Sequence, residues 1–238
     1  MTELIRLGDI AISVTRKDVK NVHLSVHPPS GRVTLVAPTS TRLDVARAYA
    51  ATRLPWIRKQ QATLRGQARE PHRTLVTRES HYVWGRRYLL SVVQRDAKPS
   101  VTLGHRRITL FVRSGSTQAT RERVMREWHR SLLHELIPPL IEKWERHLRV
   151  RVSAYFVQRM KTKWGSCNSV LGTIRLNTEL VKKPKDLVEY VVVHEMVHLL
   201  EPTHSERFVA LLSQHYPTWR EARAELNELP LGHSPRRR

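Results

Sequence analysis

Three histidines and a glutamate in the stretch YVVVHEMVHLLEPTHSERF, residues 190–208, stand at a spacing that could do chemistry. His194, His198 and His204 occupy i, i+4 and i+10, and Glu195 follows the first directly. On a helix, side chains four apart share a face, so His194 and His198 can aim their imidazoles at one point. Two ring nitrogens from one rigid element with a glutamate alongside form the H-E-x-x-H arrangement of metal-dependent hydrolysis. A catalytic zinc takes three protein ligands and keeps a fourth position open, so a third ligand must come from beyond that helix.

The chain just downstream offers one. Pro202 stops the helix, and THSE at 203–206 has the form of a capping box, with Thr203 as N-cap and Glu206 three residues on. That reading places His204 in the first turn of the next helix, where its ring can point back. Glu201, Glu206 and His215 are the rival third ligands. Glu195 cannot easily share the ion with its neighbours. Its natural role is that of general base, taking a proton from a metal-activated water and passing it to a leaving group. Zn2+ is the expected cofactor, and the implied reaction is hydrolysis of an amide, most simply a peptide bond in a protein or peptide substrate.

A histidine-rich chain produces H-E-x-x-H by chance often enough that the pattern needs support. The other positions of the stretch supply it: Val188, Val192, Val193, Met196, Val197 and Leu199 are all apolar. Two histidines and a glutamate among them are costly to bury unless they bind something. By contrast, HELIPP at 134–139 lacks a histidine at the fourth position, so His134 and Glu135 read as ordinary surface residues.

The elements that must position these side chains are legible by period. IAISVT and VHLSVH alternate as strands, PPSG turns the chain, and RVTLVAP follows. From Thr41 the spacing becomes helical, with Leu43, Ala46, Ala50, Leu54 and Ile57 on one stripe and a kink or split at Pro55. Residues 66–80 read as a polar connector. Strands return in HYVWGRRYLLSVVQ, SVTLG and RITLFVR, and a long helix runs from about Thr117 to Leu148, bent at Pro138-Pro139. SAYFVQ reads as a strand, a loop carries Gly165 and Gly172, and Thr173–Leu176 is a short strand. Helices follow over 185–200, 203–215 and 218–226, before a basic tail. KWGSC at 163–167 is a loop or edge strand beside the site, with a catalytic Cys–His pair as the sharper alternative.

The 238 residues carry 42 Lys+Arg against 21 Asp+Glu, a formal net charge of +21. The excess is uneven. Residues 1–183 hold 35 basic and 13 acidic side chains, a net of +22, whereas residues 184–232 hold 4 and 8, a net of −4. The acidic balance around the site predicts a preference for cationic peptides, and the basic remainder predicts attraction to polyanions. TRLPWIRKQQ and HYVWGRRYLL interleave arginines with aromatics, which suits nucleic-acid backbones with stacking on Trp56, Trp84 or Tyr88. A single cysteine, Cys167, excludes an internal disulfide. No apolar run approaches the ~20 residues of a membrane span, and no signal-peptide pattern opens the chain, so a cytoplasmic location is expected.

The residues Trp164-Gly165-Ser166-Cys167, Leu176-Asn177, Tyr190, His194-Glu195-x-x-His198 and His204-Ser205 with Phe208 resemble the YgjP-like metal-dependent hydrolases, which are related to the SprT-like and Wss-type proteases. The N-terminal part is similar too, with VAP, a helix ending near Trp56-Ile57, and WGRRYLL. The histidine spacing is also similar to that of the metzincins, but those need glycine where this chain has Glu201. The resemblance implies zinc bound by His194, His198 and His204, with Glu195 as catalytic base. Relatives of SprT type cleave proteins attached to DNA, which fits the charge. The expected fold class is α+β, a zincin-like C-terminal metallopeptidase domain preceded by a basic β-rich region. The expected divisions are residues 1–115 for the β-rich region with one long helix, 116–229 for the metallopeptidase domain, and 230–238 for a basic flexible tail. The rival reading is a nucleic-acid-binding module whose metal is structural or catalytically silent. Tyr190, Tyr216 and a nearby Lys or Arg are candidates for stabilising an oxyanion.

Overall fold

Alternation along the first strands decides which face is buried. A computed structural model of the chain describes residues 2–27, 31–66, 74–160 and 163–228. It divides into two compact units, one holding residues up to 69 and the other residues 70–233. In the first, β1 (Thr2–Leu7) and β2 (Ile10–Lys17) pair antiparallel, β2 runs parallel to β4 (Arg32–Pro38), and β3 (His23–His27) closes the sheet against β4. Ile10, Ile12 and Val14 of β2 and Val33, Leu35 and Ala37 of β4 are buried on one face, as period-two spacing requires. β1 lies in a stretch whose sequence signal is weak, because exposed Leu4 breaks the alternation. The helical run expected to kink or split at Pro55 is split into α1 (Leu43–Thr52) and α2 (Leu54–Gly66). Pro55 sits in the first turn of α2, where its missing N–H leaves no bond unmade. Ala46, Ala50 and Ile57 pack into the core built on the sheet.

The second unit holds two sheets and four α-helices among the described residues. One sheet has the order β5-β6-β8-β7, from β5 (Ser80–Val83), β6 (Arg86–Gln94), β7 (Ser100–Leu103) and β8 (Arg107–Val112), with β6 and β8 parallel. The long helix α3 (Gln118–Leu148) starts on Thr117, whose side chain accepts from Thr120 N, and it carries Pro138 and Pro139 inside it without ending. A second sheet has the order β10-β11-β9, with β11 (Thr173–Asn177) between β10 (Gly165–Asn168) and β9 (Ala154–Gln158). A 3-10 turn, Thr178–Lys182, leads into α4 (Lys185–Val197), followed by α5 (Glu206–His215) and α6 (Trp219–Glu228).

Val83, Leu90, Ile108 and Leu110 of the first sheet share one hydrophobic core with Leu133 and Ile137 of α3 and with Val188, Val192 and Val193 of α4. The boundary expected after residue 115 therefore falls within a single packed unit. Strands β5–β8 are buried against the helices that follow them, and the structural division comes earlier, after residue 69. Residues 67–73 of the expected polar connector lie outside the described residues, as does the expected tail at 230–238.

The tip of the β5–β6 hairpin meets the start of α4. Trp84 and Gly85 both have positive φ, 51° and 75°, the signature of a two-residue turn matched to strand twist. Their amides donate to the carbonyls of Val181 (2.8 Å) and Lys182 (3.2 Å). A Cβ on residue 85 would stand 2.8 Å from Cγ of Pro184, the N-cap of α4, so only glycine fits there.

Candidate metal centre

α4 is the element from which the site is built. Leu187, Val188, Val191–Val193, Met196 and Val197 are buried on it, so the helix is fixed by packing on nearly all sides. His194 and Glu195 lie in its last turn. His198 is its C-cap, one residue past the helix, in right-handed conformation. The helix thus ends earlier than the expected Leu200. Leu199 N and Leu200 N donate to Met196 O and Val197 O, tightening the chain into a turn.

Glu201 organises the link to the next helix. Its carboxylate accepts from Thr203 N (3.3 Å) and Thr203 Oγ1 (2.8 Å), and its backbone carbonyl stands 3.0 Å from His198 Nδ1. Donation by Nδ1 to that carbonyl leaves His198 Nε2 with its lone pair free. The expected capping box is not formed. Ser205 is the N-cap of α5, accepting from Phe208 N at 3.3 Å, and Glu206 is merely the first residue of that helix. His204 therefore precedes the helix, on the turn, rather than lying in its first turn.

The three histidines converge all the same. Their ligand atoms lie within 4.8 Å of one another, and no other such His/Cys/Asp/Glu group occurs among the described residues. His194 Nε2 and His204 Nε2 are 3.1 Å apart, where two nitrogens sharing a tetrahedral zinc at ordinary bond lengths would be about 3.3 Å apart. Phe208 forms an aromatic floor, with centroids 5.0, 4.5 and 4.8 Å from the rings of His194, His198 and His204. Glu201, Glu206 and His215 do not join the group. Burial, then the neighbouring His198 and His204, pushes the His194 imidazole down to about 3. Burial likewise lowers His198. Neutral imidazoles with lone pairs turned to one point fit a divalent metal.

Glu195 points elsewhere, as an adjacent position on a helix must. It is buried, and burial pushes its carboxyl up to about 8, with Lys163 opposing the shift. Its carboxylate lies directly on the backbone of β10. A Cβ on Gly165 would meet Glu195 Cγ and Oε1 at 2.6 Å. Glycine in KWGSC is thus the space that Glu195 occupies, a role that sequence reasoning missed because the two residues meet only through the fold. Asn177 was missed in the same way. Its buried amide donates to the carbonyls of Met160 (2.9 Å) and Lys163 (2.8 Å) and accepts from Glu179 N, tying the approach to β10 onto the end of β11.

These groups face a cleft of about 510 Å³ whose lining includes Lys163, Trp164, Cys167, Tyr190, Pro202 and Arg223. Burial, and then the charge of Glu195, pushes the Cys167 thiol up to about 11, which favours the protonated thiol over a nucleophilic thiolate. Tyr190 sets its ring edge-on to His194, 5.8 Å between centroids. Tyr216 is turned away, its hydroxyl donating to Asp186 O at 3.2 Å. No helix among the described residues is long and apolar enough to cross a membrane.

A family model described as YgjP-like, metallopeptidase domain, matches residues 20–229. No curated protein matches the chain. Among solved structures, the crystal structure of the metallopeptidase zymogen of Methanocaldococcus jannaschii jannalysin is similar at 22% identity and a TM-score of 0.34, covering 38% of this chain and 86% of that one.

Proposed function

The chain belongs to the YgjP-like metallopeptidases, metal-dependent peptidases, and on that premise we propose that it hydrolyses peptide bonds with zinc held by His194, His198 and His204 and with Glu195 as general base. The observation that carries this reading is the convergence of three imidazoles beside a buried carboxylate that is packed against an edge strand. Zinc, when bound, would lower the pKa of water and polarise the substrate carbonyl. Glu195 would take the proton of the attacking water and hand it to the leaving amine; burial already raises its affinity for that proton. The phenol of Tyr190, kept protonated by burial, would donate to the developing oxyanion. Among the described residues β10 pairs with β11 alone, so its other edge would take the substrate backbone as an added strand. Such a site belongs to the zincin-like class.

Two facts favour this over a structural or silent metal site. A closed structural site needs four protein ligands, and three gather here among the described residues. A structural site also has no use for a buried carboxylate placed alongside. Glu195→Gln should keep the metal and the fold while losing nearly all hydrolysis; equal activity would sink the mechanism.

Nucleic-acid association is a separate proposal. The first unit, residues 1–69, holds 12 basic and 4 acidic side chains, and α1 and α2 leave Arg47, Arg53, Arg58 and Trp56 exposed. Of the aromatics expected to stack, Trp56 is 41% exposed, Tyr88 is 8% exposed and Trp84 is packed against the core. Stacking therefore narrows to Trp56.

A further inference from the structure

The segment that carries the site is acidic, yet the cleft is not. Among the described acidic side chains of this segment, Glu195 alone lines the cleft. Glu189 pairs with Lys143 at 2.6 Å, and Glu201 holds the Thr203 turn. On α6, Arg223, Leu226 and Asn227 share the face that lines the cleft, and the helical period turns Glu221 and Glu225 roughly 200° away from Arg223.

What lines the cleft instead is positive. Lys163, just before β10, and Arg223 of α6 are both exposed, and neither side chain forms a hydrogen bond or ion pair with a described residue. They lie on different parts of the site. The field of Lys163 acts on Glu195 and His198, and that of Arg223 on His194 and Tyr190. Lys163 stands two positions before β10 and Arg223 lines the same cleft, so a chain held there along β10 meets a lining that contains both charges. A guanidinium and an ammonium with no partner among the described residues, lining a concave surface, favour carboxylates, and Arg can hold one with two parallel hydrogen bonds.

We propose that Lys163 and Arg223 make the cleft select peptides that present a carboxylate close to the scissile bond. This rests on the peptidase reading above, and it reverses the preference for cationic peptides that the local net charge suggests. The carboxylate can be that of an acidic side chain or of the peptide's own C-terminus.

The test uses the metal-loaded full chain. Cleavage sites in a degenerate peptide pool are first read by mass spectrometry. Matched fluorogenic peptides then carry Glu, Gln or Lys beside the cleaved bond, each with a free or an amidated C-terminus. The expected order in kcat/KM is Glu over Gln over Lys, with about tenfold between the first two. Lys163→Gln and Arg223→Gln should each shrink that ratio toward one, and Arg223→Glu should turn the preference to Lys. An advantage confined to free C-termini assigns the carboxylate to the chain end; one that survives amidation assigns it to a side chain. A wild-type preference for Lys peptides, or a ratio unmoved by both Gln variants, overturns the proposal. Fluorescence anisotropy of the same peptides on metal-loaded Glu195→Gln reads the selection without turnover. If no peptide is cleaved but acidic peptides bind best through Lys163 and Arg223, the peptidase reading fails and the charge selection stands. Equal binding of all three peptides overturns the selection itself.

Discussion

Gly165 and Glu195 are in such close contact that a methyl group on residue 165 would stand 2.6 Å from both Cγ and Oε1 of the glutamate. The strand that borders the cleft and the helix that carries the histidines are thereby held in one relative position, with the carboxylate between them. Real Cβ atoms do not approach so closely, so an added methyl must move Glu195 or the strand.

Gly165→Ala should therefore displace the carboxylate while retaining metal, because the atoms nearest an added methyl all belong to Glu195. A misplacement of about 1 Å in a reacting group lowers rates by about 100-fold. Metal analysis and kcat/KM on the same preparation check this. An alanine variant as active as the wild type would show that the contact is not needed.

Purified protein is expected to carry about one zinc per chain. His194→Ala and His198→Ala should abolish binding, since each removes a ligand from the rigid end of α4. His204→Ala should weaken it strongly, because His204 lies on the turn between α4 and α5 and two nitrogens would remain. Zinc content after dialysis against a weak chelator distinguishes the three.

Metal-free protein should show an unusual dependence of stability on pH. Burial holds Glu195 at about 8 against an ordinary 4.5, so the unfolded chain loses that proton first, and stability falls as pH rises through this window. His194, held at about 3 against 6.5, is protonated first in the unfolded chain, and stability falls as pH drops through that window. Glu195→Gln removes only the upper effect. The Tm advantage of this variant over wild type, both treated with chelator, should therefore grow from pH 5 to pH 8. A gap that stays constant would contradict the burial of a neutral acid.

If the basic surface docks nucleic acid, affinity should fall with salt at a log–log slope of about −0.7 to −0.9 per phosphate contact, with little dependence on base sequence. Trp56→Ala should weaken single-strand binding by about 1–3 kcal/mol per stacked base while leaving the salt slope unchanged. Titrations by anisotropy across a salt series measure both, and absence of binding at physiological salt would reduce the charge to a solvated surface.

The sequence revealed those features that depend on local period. The triad spacing could be read because i and i+4 share a helical face, and the start of α3 at Thr117 because a capping hydroxyl precedes a long apolar period. The turn after α4 was half legible. Pro202 marked it, but the choice between Thr203 and Ser205 as cap depends on how Glu201 is engaged, and at the surface Glu201 holds Thr203. What stayed hidden depends on contacts between distant segments. Gly165 and Glu195 are 30 positions apart, and β10 has only four residues, too short for alternation to speak. The placement of β5–β8 with α3 and α4 was hidden for the same reason, since strands show that they have a buried face but not what covers it.

The Trp84–Gly85 turn, seated on Val181, Lys182 and Pro184, bears on where this chain can be cut. A fragment beginning at residue 116 would keep every candidate ligand and the base, yet it would lose the buttress under the first turn of α4 and uncover Leu133 and Ile137 of α3. The smallest excisable catalytic piece is therefore expected to begin near residue 74. A protease nick between 84 and 116 should inactivate the enzyme without touching its chemistry.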